Sequence, residues 1–269
     1  MTSSTPHENK YSALAAAVFR LNATALLIMK AKLLSLVVFL ALTHVAVAQT
    51  PPSPSTDPKP AVRTGPSQEA VDRRARSNER LAAESVSVPA DLPTQPDSTK
   101  ANLRTKEQIA QRAIAVCLTA FKAERMEQEK IDELVKSYKA DKLKYLRPDE
   151  KDFIDTAAPT NDASNRYLWR YESLVVLMWA LGYSDTLERP DSSLDVGKTV
   201  SYLSGKSYEQ FLAGAHVRSV NELLDEADLI YRYQWAINDA RKRGRSAPTG
   251  LDRGIVQQRQ DALNWLLGR

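Results

Sequence analysis

"WRYESLVVLMWALG", residues 169–182, decides the fold. Apolar residues fall on nearly every face of the helix this run would form, and such a helix is buried on all sides. Yet Glu172 stands in its middle. At about 100° per residue, Glu172 shares a stripe with Leu168, Val175 and Trp179, while Arg170 lies about 160° away and cannot pair with it. A lone buried carboxylate costs several kcal/mol or takes up a proton, whereas a well-placed cation from another helix offsets most of that cost. The run therefore predicts a helix over 164–181, closed by Gly182 as its C-terminal cap, and a partner elsewhere in the chain.

The last helical segment offers that partner. In "LDRGIVQQRQDALNWLLG", residues 251–268, Arg259 falls on the stripe of Ile255, Ala262 and Leu266. In "SVNELLDEADLIYRYQWAINDARKRG", residues 219–244, Gln234 falls among Leu223, Ala227, Ile230 and Ile237. Three core stripes thus carry one polar residue each. The expectation is that Glu172 and Arg259 meet in the core, with Gln234 or a tyrosine completing the hydrogen bonds. In the same long segment Asp228 and Arg232 stand four apart, acid first, beside Trp235. On an exposed face that orientation is worth only about 0.3–0.5 kcal/mol. Glu222, Asp225, Glu226 and Asp228 read as a solvated acidic face at the helix's amino end rather than a metal or acid/base site.

Other segments repeat the helical pattern. Thr105 and Gln108 have capping-box spacing ahead of Ile109, Ala113, Val116 and Ala120, and Ser219 and Glu222 repeat it. Residues 127–142 carry a stripe of Ile131, Leu134, Val135 and Tyr138, and Pro148 suits a first helical turn. Residues 67–86 read as a polar helix and 183–206 as mixed loop and short helix. No stretch alternates as a strand does. The class is all-α: a single irregular bundle of about six to eight helices, the roughly 165 residues after Arg104 being ample for one core.

The amino-terminal part reads differently. From Met29, Lys30 and Lys32 precede an apolar run over 33–45 and the small residues Ala46, Val47 and Ala48. That order is the pattern of an export signal peptide cleaved after Ala48, and the run is short for a span of about 20 residues. Residues 1–28 then read as a possible extension of the gene model, 29–48 as the leader, 49–72 as a disordered Pro-rich linker and 73–269 as the helical domain. Six of the fourteen prolines lie in 49–66, a composition too poor in large apolar groups to offset ordering entropy. An uncleaved leader would instead make this a membrane-anchored envelope protein.

Charge and cysteine content exclude several functions. Residues 1–48 supply +3 of the net +4, and the remaining 221 residues carry 33 basic against 32 acidic side chains. A nucleic-acid binder needs a concentrated basic footprint, and "RKRGR" at 241–245 is better placed to complement a helix carboxyl end. Cys117 is the single cysteine, and its helical neighbours Ala113, Ile114, Ala120 and Phe121 suit a buried thiol. After residue 48 there is one histidine, His216, which rules out His-rich metal sites and Glu-x-x-His di-iron pairs. No cofactor and no metal are implied.

With these segments in hand, "LRTKEQIAQRAIAV", "WRYESLVVLMWALG", "RSVNELLDEADLIYRYQWAINDAR" and "QQRQDALNWLLG" together resemble the bacterial family catalogued as domain of unknown function 4272. The resemblance runs from about Arg74, including "VPADLP", to the chain end. It implies a helical fold and brings no established activity. Two departures stand out: many relatives lack a leader, and this chain has Gln234 and Gln260 where histidine is expected in relatives.

Two functional readings compete. One is an exported, non-enzymatic binding module that engages a protein or cell-envelope partner in the periplasm or outside the cell. The other is a hydrolase-type enzyme using Glu172 or Asp228 with Arg259. The candidate binding residues are Glu172, Arg259, Gln234, Asp228, Arg232 and Trp235, for which a structural role competes.

Overall fold

The computed structural model describes residues 65–138, 143–191 and 195–269. The expected extension, leader and most of the linker therefore lie outside the described residues. Helix α1, Gln68–Ala83, begins behind an Ser67 cap whose side chain accepts from the Ala70 N–H. Then come α2, Lys106–Ala123, α3, Gln128–Tyr138, α4, Pro148–Asp155, α5, Asn161–Leu168, and α6, Arg170–Ala180. The chain continues through α7, Val196–Ser201, α8, Tyr208–Ala213, α9, Val220–Lys242, and α10, Arg253–Leu266. Among the described residues there is no strand, and no helix is long and apolar enough to cross a membrane.

Among the described residues there are ten helices where about six to eight were expected, for two reasons. The short helix expected within 183–206 is α7, and Ser207 starts a further one, α8, through a capping box with Gln210. The single helix expected over 164–181 starts earlier, behind a Thr160 cap, and breaks at Trp169. There the Glu172 N–H bonds the Trp169 carbonyl at 3.1 Å, a tighter three-residue step between the two helices. The expected capping boxes at Thr105–Gln108 and Ser219–Glu222 are both formed.

Packing runs as a succession of neighbours. Helix α6 lies between α2 and α10, α10 rests on α9, and α9 is covered on its far side by α1, while α3, α4 and α5 gather against α2. Burying α6 from both sides is what its all-round apolar surface demands: Leu174, Val176, Met178 and Ala180 are sealed from solvent. Helix α2 is equally enclosed, so Gln111, Arg112 and Lys122 go inside with its apolar residues. Cys117 is buried, as its neighbours imply, and burial pushes its thiol well up from the ordinary value.

Gly182 caps α6. Its φ of +76° lets the Tyr183 N–H reach back to the Met178 carbonyl at 3.0 Å, and a Cβ there would stand 2.5 Å from the His216 carbonyl oxygen. The chain end is closed in a related way, with the Arg104 N–H donating to the Leu266 carbonyl at 2.9 Å.

Candidate functional site

Glu172 and Arg259 meet. Arg259 Nε donates to Glu172 Oε2 at 3.0 Å, with only 5% and 3% of the two side chains exposed. The Arg259 guanidinium also donates to the Glu188 main-chain carbonyl. That carbonyl is the second described partner of the arginine, where Gln234 or a tyrosine was expected; neither is among the described partners of Arg259. Gln234 is itself buried on α9, and its Oε1 accepts no hydrogen bond among the described residues. Trp235 packs half-buried against the main core.

Asp228 and Arg232 pair at i,i+4 as their spacing implies, but the expectation of a solvated face is wrong. Both side chains are fully buried, joined by two parallel bonds of 2.8 and 3.0 Å, and Arg232 Nη2 also reaches the Pro93 carbonyl at 3.4 Å. The Pro93 carbonyl, next to buried Leu92, is the contact the pair makes with the chain before α2. The rest of the acidic group is a docking face for α1. Arg73 and Arg76 both reach Asp225, at 3.0 and 2.7 Å, and Arg73 is itself buried. Only Glu222 keeps the exposed capping role expected of it.

Glu226, half-buried beneath α1, has its carboxyl pushed up to about 7, chiefly by burial and against the pull of Arg80 and Arg259. Glu84 behaves oppositely. Burial works against its charge, but the Tyr233 hydroxyl, Arg189 and Arg80 hold its carboxyl below the ordinary value. Tyr233 donates to Glu84 at 2.5 Å and Arg189 at 2.9 Å. Most buried charges of α1, α9 and α10 are therefore paired, while Arg232 Nη1 and Gln234 Oε1 on α9 have no hydrogen-bond partner among the described residues.

A second polar centre, absent from the sequence reading, lies where α2, α4 and α6 converge on α10. Glu150, fully buried, accepts from Arg112 Nη2 at 2.8 Å and the Arg147 N–H at 3.1 Å, and stands 2.8 Å from Arg170 Nε in an ion pair without hydrogen-bond geometry. Burial opposes its charge, and these donors still hold its carboxyl below the ordinary value. Glu150 reads in sequence as an ordinary first-turn acid, and its only signal is the spacing from Arg147 through Pro148. Arg170, correctly separated from Glu172, points to this centre instead and also reaches Gln258 Oε1 at 3.1 Å.

Beside Glu150 opens a cavity of about 10 Å³, bounded by Arg112, Arg147, Arg170, Ser173, Asp261 and Trp265. That is room for one water-sized group. The Arg147 guanidinium, half-buried at its mouth, makes no ion pair or hydrogen bond among the described residues. One face of α10 runs past this centre. Gly254 lies under the ring of Trp169, Gln258 meets Arg170, and Asp261 and Trp265 form the cavity wall. At 100° per residue these four positions fall within a 60° arc. Trp169, at 38% exposed, is the large apolar side chain left open to solvent among the described residues.

Among the described residues no three His, Cys, Asp or Glu side chains gather as metal ligands would. The model of one family, described as domain of unknown function DUF4272, matches residues 73–269. No curated protein and no solved structure matches the chain. The chain belongs to the DUF4272 family.

Proposed function

We propose that this DUF4272 member is an exported binding module that takes a protein partner on the α10 face between Trp169 and Trp265. The observation that carries the reading is the state of the carboxylates that hydrolysis would need. Glu172 is tied to Arg259 and Asp228 to Arg232, and each acid is buried at 4% and 0% exposure. A general base must come within hydrogen-bond reach of substrate or its water, and neither of these does. The half-open Trp169 supplies what an interface uses instead, a large rigid apolar anchor. The near balance of charge after residue 48 supports a protein rather than a nucleic-acid partner. The lysines, apolar run and small residues of 29–48 support export, with Gln49 as the new terminus.

A photo-crosslinking residue placed at position 169 tests the surface, with a second placed at Arg241, an exposed site near the far end of α9. Irradiation in the producing cells is expected to give an adduct of defined mass from position 169 and none from 241. Equal labelling at both positions, or none at either, overturns the reading. The mass of the uncrosslinked protein recovered from the same cells reports whether the chain starts at Gln49.

A further inference from the structure

We propose that the cavity beside Glu150 receives a carboxylate presented by the partner, bound by the guanidinium of Arg147. The charge balance around the cavity leads to this class of ligand. Arg112 and Arg170 are both engaged by Glu150, and Arg170 also stands 3.9 Å from Asp149. Two cations are matched by two anions. Asp261, on the opposite wall, is held at 3.0 Å by Gln257 Nε2 and has no described cation within ion-pair distance. Arg147 is the guanidinium of this group that makes no ion pair or hydrogen bond among the described residues; it faces Arg112 and Arg170 as well as the Glu150 and Asp149 carboxylates, while Asp261 is the unpaired anion.

Burial, and then Arg112, hold the Arg147 group below its ordinary value, with Arg170 acting in the same sense and Glu150 and Asp149 against them. An incoming anion relieves that repulsion. A cavity of about 10 Å³ admits one oxygen of such a group and leaves the rest at the mouth, where the partner would stand. A single negative charge fits better than a phosphoryl group, which brings −1.5 to −2 past the Asp261 carboxylate. A planar guanidinium that is not already committed is the group suited to holding a carboxylate through paired N–H donors.

The inference rests on the α10 face being the recognition surface, and the two can fail separately. Thermal unfolding of the whole protein is followed against sodium acetate, with sodium chloride and sodium phosphate at matched ionic strength as comparisons. Acetate is expected to raise the midpoint saturably, beyond chloride and phosphate. Arg147→Gln is expected to weaken that response on the order of tenfold, the scale of one charge-assisted hydrogen bond. Asp261→Asn is expected to strengthen it by removing the like charge. An acetate response equal to that of chloride, an unaltered response in Arg147→Gln, or a larger response to phosphate overturns the proposal. A crosslink at position 169 that persists in Arg147→Gln would leave the binding surface standing without the carboxylate. An acetate site without any crosslink would do the reverse.

Discussion

Arg259 of α10 closes on Glu172 of α6 at 3.0 Å, eighty-seven residues apart in sequence and nearly sealed from water. This contact joins the central helix to the last one. Removing one partner leaves an uncompensated buried charge, which costs about 3–5 kcal/mol. Glu172→Gln and Arg259→Leu are each expected to lose stability on that scale in urea unfolding. The double variant Glu172→Leu with Arg259→Leu is expected to recover most of it, because neither charge then needs a partner. Single variants as stable as the parent would mean the pair does not hold α6 to α10.

Stability is expected to rise on mild acidification. Glu226 and Glu124 have their carboxyls pushed up to about 7 in the folded chain, in both cases chiefly by burial, with Tyr171 partly offsetting this at Glu124. Between the ordinary carboxyl value of 4.5 and about 7 the folded chain binds more protons than the unfolded one. Over that window the contribution is lost as pH rises. Glu69, Glu84, Glu150 and Glu222 are shifted down, so their contribution is lost as pH falls below the ordinary value. The unfolding midpoint should therefore peak at about pH 5. Glu124→Gln with Glu226→Gln should flatten the slope between about pH 5 and 7. A midpoint that climbs steadily to neutral pH would contradict both assignments.

Gly182→Ala is expected to cost at least about 2 kcal/mol, since a left-handed backbone alone costs an L-residue roughly 1–2 kcal/mol. The added Cβ would also press on the His216 carbonyl at 2.5 Å, and backbone does not yield as a side chain tip does. Gly244→Ala makes the comparison: its φ is +66° but no atom lies within 4 Å of its Cβ position. Equal losses of thermal midpoint in the two variants would show that the close approach at Gly182 adds nothing.

The Glu172–Arg259 contact was legible because each residue interrupts an otherwise apolar stripe, and of the three such interruptions these two carry opposite charges. The burial of Asp228 and Arg232 was not legible. Their spacing announces the pair, but the contact it makes beyond α9 is with Pro93, more than a hundred positions away and in a segment without periodicity. The role of Asp225 was hidden for the same reason, since Arg73 and Arg76 look like the polar face of an isolated helix until α1 docks. The Glu150 centre escaped because α2 is enclosed on every side. Periodicity then no longer says which of its polar residues turn inward, and Arg112 carries no more signal than an exposed arginine. The break at Trp169 is a matter of local geometry, and the run "NRYLWRYESLVV" contains no glycine or proline to mark it.

The neighbour order of the helices also sets a timetable. Glu172 leaves the ribosome well before Arg259, and α1 waits for α9, whose Asp225 lies 152 residues after Arg73. Contacts of that sequence separation form late, after the loop they close has been made. Without α10 the central helix would keep a bare acid and one open side, so stable folding is expected to wait on residues 253–269.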